Sequence, residues 1–388
     1  MRITHIITRL IVGGAQENTI ATVLGLRQRF GEEVTLLSGP TDGPEGSLEP
    51  LVTSAPGLLQ IVPDLTRPVH PWKDLHALVQ LTRWLRERRP VIVHTHSGKA
   101  GILGRLAARR AGVPIIVHTI HGPSFGPFQG PVPNLLFTAA ERWAGHCTTQ
   151  FVSVSQAMTD QYLAAGIGTP AQYRRIFSGF PLDPYLKAVP NVALRARLGI
   201  APDDIVVGKI ARLFKLKGHD DLFPIASALV KACPKWKFLF VGGGEWRARF
   251  EQMADAVGLK GHFVFTGLVP PGEIPGLVGI MDVLVHLSRR EGLARALPQA
   301  LAAGKPIVAY DCDGAREVCM DGETGFLIQP GDLPALERRL LQLAADAELR
   351  SRLGNCGRAW VRSRFSVETM IEETVRLYQE LMAHGVSQ

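Results

Sequence analysis

The sequence predicts an α/β protein of two doubly wound parallel-sheet domains, on three observations. Short β-rich runs alternate with helix-length segments along both halves, the order that builds a parallel sheet flanked by helices. Runs such as Val91-Ile-Val and Ile115-Ile-Val are apolar on consecutive positions, as strands covered on both faces require. The chain, at 388 residues, is too long for a single core.

In the first half, strands are expected near Arg2–Ile7, Glu33–Ser38, Val91–His94, Ile115–His118 and Phe151–Ser155. Helices are expected over Ala15–Arg29, Lys73–Arg89, Lys99–Ala111 and Asn134–Ala144. The second half reads as strands near Ile205–Ala211, Lys237–Val241, Phe263–Thr266, Val283–His286, Pro306–Tyr310 and Gly325–Ile328. Pro181, Pro184 and Pro190 interrupt the pattern, which divides the chain into domains 1–185 and 186–365. Asn191–Leu198 reads as a short helix opening the second. The amphipathic stretch Val367–Ala383 has no strand after it, so residues 366–388 are expected to pack back towards the first domain. Two such domains place their ligand in a cleft between them, at the carboxyl ends of strands.

Composition narrows the function. The chain is 46% hydrophobic and 20% charged, within the ordinary globular range. It has no apolar run near the ~20 residues of a membrane span and no signal-peptide pattern at Met1-Arg-Ile-Thr-His-Ile-Ile-Thr. Five scattered cysteines without ligand spacing point to reduced thiols, hence a cytoplasmic protein. The net charge is +8, and residues 1–185 carry 17 Lys/Arg against 12 Asp/Glu. Clusters at Arg83–Arg89 and Arg105–Arg110 read either as solvated helix faces or as a surface drawn to anionic lipid at the inner face of a membrane. No aromatic-interleaved basic groove is present, so nucleic acid is not an expected partner.

Four segments carry candidate chemistry. In Ser288–Tyr310, Glu291 and Gly292 lead into a helix expected to start at Pro298 and stop at Gly304. Gln299 would then lie in the first turn, beside backbone N–H groups suited to a phosphate, with Glu291 eight residues upstream as an acceptor for ligand hydroxyls. The same segment also reads as an ordinary crossover whose glutamate caps a helix. Arg212 and Lys217 follow the strand Ile205–Ala211, where a guanidinium and an ammonium suit a diphosphate, although each alone also reads as surface charge. Gly13-Gly14 opens a helix after the first strand, as a close backbone approach to a ligand or as a simple tight turn. Eight of the twelve histidines lie in the first half, among them His94 and His96 at one strand end and His121 after the next. His-x-His suits zinc, but the sequence shows no matching cysteine or carboxylate cluster, so no metal is assigned. His121, followed by glycine, has the best claim to point at a ligand.

Taken together, the chain resembles a retaining GT-B glycosyltransferase of the family-4 type, from Gly13 to about Phe365. The matching elements are Gly13-Gly14-Ala15, His94-Thr-His96-Ser97, His121-Gly122, Ser153-Val-Ser155, Arg212 with Lys217, Glu291-Gly292 with position 299, and Asp321-Gly322-x-Thr-Gly325-Phe326-Leu327. The resemblance implies two Rossmann-like domains facing a cleft, a nucleotide-diphosphate sugar as donor, no cofactor and no divalent metal. It implies that Arg212 and Lys217 bind the diphosphate with help from Gly13 and Gly14, and that Glu291 holds sugar hydroxyls. The amides of Leu293 and Ala294 would assist, position 299 would hold the ribose, and His121 would face the donor sugar. His94, His96 and Ser97 fall on the acceptor side, where a glycan or lipid-linked sugar is expected, for a product in surface polysaccharide or glycolipid. Gln299 departs from the family, which has a second glutamate there; the loss of charge costs about 1 kcal/mol of hydrogen-bond strength. A nucleotide-sugar epimerase on the same scaffold, or a catalytically weak binding protein, are the alternative readings.

Overall fold

The structure, a computed structural model, describes residues 1–41 and 46–385. It divides into two compact units, Met1–Phe180 with Ser366–Gln388, and Pro181–Phe365.

The first unit is a seven-stranded sheet: β1 (Arg2–Ile7), β2 (Glu33–Ser38), β3 (Leu59–Ile61), β4 (Ile92–His96), β5 (Ile115–Ile120), β6 (Gln150–Ser153) and β7 (Tyr173–Arg175). The spatial order is β3-β2-β1-β4-β5-β6-β7, and every pairing is parallel. Consecutive apolar residues go to opposite faces. Ile3, Ile7, Ile92 and Ile115 join one core, with Ile20 and Val23 of the helix Gly14–Phe30 and Ile371 and Tyr378 of the helix Val367–Gly385. Ile6, Val93 and Ile116 join a second core, with Leu78, Leu81 and Leu85 of the helix Pro71–Arg88 and Ala107 of the helix Gly98–Ala111. The C-terminal helix lies close on the helix Gly14–Phe30: a Cβ added at Gly25 would fall 2.0 Å from Cδ1 of Ile371.

The second unit is a six-stranded sheet: β8 (Ile205–Ile210), β9 (Trp236–Val241), β10 (Phe263–Gly267), β11 (Val283–His286), β12 (Ile307–Tyr310) and β13 (Gly325–Ile328). Its order is β10-β9-β8-β11-β12-β13, again all parallel. An aromatic cluster fills one side, with Phe263 stacked on Phe223 and on Phe238 at 4.7 Å between centroids.

Several expectations shift. β4 runs to His96 and β5 to Ile120, each two residues beyond the expected end, so His96 is a strand residue like His94. The edge strands β3 and β7 carried no sequence signal. They are three residues long and none of their residues is fully buried, so neither an apolar run nor a clean alternation marks them. The helix expected to start at Pro298 starts at Ala296, because the first turn needs no donors and a proline fits at its third residue as well as its first.

Candidate functional site

In each sheet the strand order reverses once, between β1 and β4 and between β8 and β11. There the chain leaves adjacent strands in opposite directions, opening a crevice at their carboxyl ends. The loops after those four strands carry most of the residues singled out from the sequence.

In the second unit, the loops after β8 and β11 are laced together. The carbonyl of Leu216 accepts from the N–H of Arg289 at 2.9 Å and from Ser288 Oγ at 3.3 Å. Leu216 adopts φ 70°, a strained conformation for a leucine. Gly218 follows with φ +65°, and a Cβ there would lie 2.0 Å from the carbonyl oxygen of Leu287. This turn brings Lys217 Nζ to Oε1 of Glu291, to which it donates. Ser288 Oγ donates to the same oxygen at 3.3 Å, and the N–H of Glu291 donates to Asp313 Oδ2 at 2.7 Å. Burial pushes the Glu291 carboxyl up, but Lys217, His286 and the hydrogen bonds from Lys217 and Ser288 outweigh it, so its pKa falls below the ordinary value. The site therefore presents a carboxylate and an ammonium, each held in place.

The other predicted residues of this unit are placed differently. Arg212 is exposed, its guanidinium carbon 5.1 Å from the centre of the Phe214 ring. Leu293 and Ala294 are buried, directly before the helix Ala296–Ala302. Gln299 is the fourth residue of the helix Ala296–Ala302, and its N–H donates to the carbonyl of Arg295 at 3.1 Å, which leaves its side chain as the group for a ligand. Sequence reasoning also missed Lys209, a fully buried lysine near the end of β8. Burial, then the charge of Lys217, push its pKa down to about 7. Its ammonium has no hydrogen-bond partner among the described residues. A lone lysine inside Val206-Val207-Gly208-Lys209-Ile210 was the available signal.

In the first unit, Gly13 precedes and Gly14 begins the helix Gly14–Phe30, which has no side-chain N-cap. Gly13 is extended at φ 176°, which any residue adopts. Ser97 is different: it caps the helix Gly98–Ala111 with φ 68° and makes no side-chain capping bond. The period of two puts His5, His94, His96 and Thr119 on one face of the sheet, beneath the C-terminal helix. His5 and His94 are paired across β1 and β4. His5 Nδ1 lies 2.9 Å from His96 Nε2, and His96 Nδ1 lies 3.0 Å from His121 Nε2. Burial holds His5 down to about 3 and His94 and His96 well below the ordinary imidazole value, so all three are neutral. His5 was not foreseen. With His94 and His96 it brings three ring nitrogens within 4.8 Å of one another, the one group of this kind among the described residues that could hold a metal ion. Those rings are also joined by hydrogen bonds to each other and to Tyr378.

Two parallel doubly wound sheets, with a lysine–carboxylate pair at the switch point of the second, define an enzyme of α/β GT-B fold. The description "Glycosyl transferase 4-like domain" matches residues 13–177, and "Glycosyl transferases group 1" matches residues 192–360. The chain belongs to the group 1 glycosyltransferases, and its activity class is glycosyl transfer. It is 30% identical to the candidate glycosyltransferase EpsD of Bacillus subtilis, over 83% of this chain and 84% of that one. It is 27% identical, over the same shares, to the Escherichia coli UDP-Gal:alpha-D-GlcNAc-diphosphoundecaprenol alpha-1,3-galactosyltransferase. Among solved structures, Anabaena HepE in complex with UDP-glucose superposes with a TM-score of 0.82 at 24% identity, covering 98% of this chain and 100% of that one.

Proposed function

We propose that this protein is a retaining, metal-independent glycosyltransferase that moves a sugar from a nucleotide-diphosphate donor to a glycan or lipid-linked acceptor, for surface polysaccharide or glycolipid. The pairing of Lys217 with Glu291 carries this reading. A diphosphate calls for a fixed cation, and sugar hydroxyls for a fixed acceptor; one pair supplies both. Arg212, exposed on the same loop, adds a guanidinium for the phosphates. Leu293 and Ala294 contribute backbone, Gln299 its side-chain amide to the ribose, and His121 faces the sugar.

In the step itself, the acceptor oxygen bonds to the anomeric carbon on the face that the departing diphosphate leaves. The carbon–oxygen bond to phosphate breaks, and the leaving oxygen takes the acceptor's proton. Lys217 and Arg212 stabilise the charge that develops on the diphosphate, the work a divalent metal does elsewhere. The named relatives are transferases, so the epimerase reading has no support from them.

A lipid-linked acceptor would bring the protein to the cytoplasmic face of a membrane. No helix among the described residues is long and apolar enough to cross one. The helix Pro131–Gly145 exposes Val132, Leu135, Leu136 and Trp143, an apolar surface suited to peripheral contact. Flotation with anionic liposomes tests this: protein left at the bottom of the gradient at low salt rejects it.

The donor reading is tested by thermal shift against UDP, GDP, ADP and their sugars, with and without EDTA. At a hundredfold excess over Kd, binding stabilises by about 2.7 kcal/mol. A shift for one base that survives EDTA and vanishes in Arg212→Ala is expected. If a nucleotide binds but no transfer is detected, and Gln299→Glu turns the silent protein into an active one, the protein is the catalytically weak binder instead.

A further inference from the structure

In the second unit, Arg289 holds the turn that carries Lys217 at both ends. Its backbone N–H donates to the carbonyl of Leu216 at 2.9 Å, just before Lys217. Its Nη2 donates to both carboxylate oxygens of Asp221, at 2.9 Å and 2.7 Å, just beyond that turn. Tyr310 Oη donates to Oδ2 of the same carboxylate at 2.7 Å, and the Arg289 guanidinium carbon lies 5.6 Å from the centre of the Tyr310 ring. The outer members are fixed by the core. Tyr310 is fully buried at the end of β12, and Asp221 lies in the turn Asp220–Leu222, whose Leu222 is fully buried too. Arg289 shortly precedes Glu291, so whatever ties Arg289 to residues 216–221 also brings Lys217 to Glu291.

The side chain of Arg289 is 35% exposed and that of Asp221 13%, and a solvent-screened ion pair contributes little to stability. Its effect is on direction. Leu216 sits at φ 70°, a conformation that a leucine keeps only where its surroundings impose it. Its carbonyl is the one that takes the Arg289 N–H and Ser288 Oγ. Released from Arg289, Leu216 relaxes to negative φ, and Lys217, the next residue, swings away from Glu291.

We propose that Arg289 is a positioning residue: held by Asp221 and Tyr310, it clamps the turn and so keeps the ammonium of Lys217 on the carboxylate of Glu291. The guanidinium serves Asp221 and not the ligand. The catalytic consequence rests on the reading of Lys217 as the cation for the diphosphate; the clamp itself does not.

The test uses the full-length chain with 13C at the glutamate carboxyl carbons, Glu291→Gln assigning the Glu291 signal, so that its pKa can be followed by NMR. The main variant is Asp221→Asn, which keeps the shape of the side chain and removes its charge. Losing that negative charge would by itself lower the Glu291 pKa, whereas losing the clamp withdraws Lys217 and raises it. The expected result is a rise towards the ordinary carboxylate value, with the melting temperature little changed. Arg289→Met should give the same rise. Transfer at saturating donor should fall roughly tenfold in both, and nucleotide affinity should change alike in both. If neither variant folds, Tyr310→Phe should move the Glu291 pKa upward in smaller measure. A pKa unmoved or lowered in folded Asp221→Asn, or in Tyr310→Phe where only that variant folds, overturns the proposal. So does nucleotide binding that is weakened in Arg289→Met and kept in Asp221→Asn, since the guanidinium would then be a ligand contact. A wild-type protein without transfer, in which Asp221→Asn still raises the Glu291 pKa, would refute the catalytic reading and leave the clamp standing.

Discussion

Lys217 and Glu291, 74 residues apart in the chain, meet as an ion pair where the loops after β8 and β11 converge. Glu291 has a depressed pKa, so the pair stabilises the fold above the ordinary carboxylate range and stops doing so as pH falls through the folded-state value. Lys217→Met removes the main opposing charge. Its melting temperature should lie below wild type at pH 7, and the gap should close on acidification below about pH 4. Transfer should fall about 100-fold or more. Equal melting temperatures at pH 7, with activity retained, would show that the pair matters to neither.

The buried histidines make a second pH dependence. His5 is held down to about 3 by burial, and His94, His96 and His118 well below their ordinary value. Unfolded, these rings take up protons near pH 6.5 that the native protein refuses. Stability is therefore complete above that pH and lost as pH falls below it, by up to about 1.4 kcal/mol per pH unit for each ring. Urea unfolding at pH 7.5, 6.5 and 5.5 should show the midpoint falling steeply over the last step. A constant midpoint would mean that the rings are already charged or solvated in the native state.

Arg105 and Glu141 form a fully buried ion pair at 2.5 Å in the first unit, with Ser124 Oγ donating to Glu141 at 2.8 Å. Removing one partner leaves the other charge buried. Glu141→Ala should cost about 3–5 kcal/mol, and the double change Arg105→Met with Glu141→Leu should recover much of it. Denaturant midpoints for the wild type and these two variants decide the matter: a double change that costs as much as Glu141→Ala would argue against coupling.

Gly218 and Gly304 both have left-handed backbones, at φ +65° and φ +70°, but their surroundings differ. A Cβ at Gly218 meets the Leu287 carbonyl, whereas one at Gly304 meets nothing within 4 Å. Gly304→Ala should cost only the conformational preference, about 1 kcal/mol. Gly218→Ala should cost about 3 kcal/mol or more and shift the loop that carries Lys217. Calorimetry with nucleotide titration separates the two, and equal losses would dismiss the close approach.

How far the sequence could be read followed the range of the interactions. Val91-Ile-Val and Ile115-Ile-Val declare a strand covered on both faces without outside help, because each residue needs only its own side of the sheet. Glu291 and Lys217 could be chosen singly, since loops after strands are where ligands bind, but their mutual bond needed β8 beside β11. His5 shows where this ends. One histidine in an apolar strand looks like any strand residue, and its company comes from the parallel register that sets it against His94. The start at Ala296 was missed because proline is equally at home anywhere in a first turn.

The first unit is written in two instalments, residues up to 180 and the final helix from Val367, with the second unit between them. During synthesis the sheet emerges first and must wait for about half the chain before the covering for Ile20 and Val23, and the hydroxyl of Tyr378, leave the ribosome. The uninterrupted second unit can complete itself earlier. A message cut short after residue 365 would yield a finished second unit and a first unit with one core only partly covered, the kind of product that quality control removes.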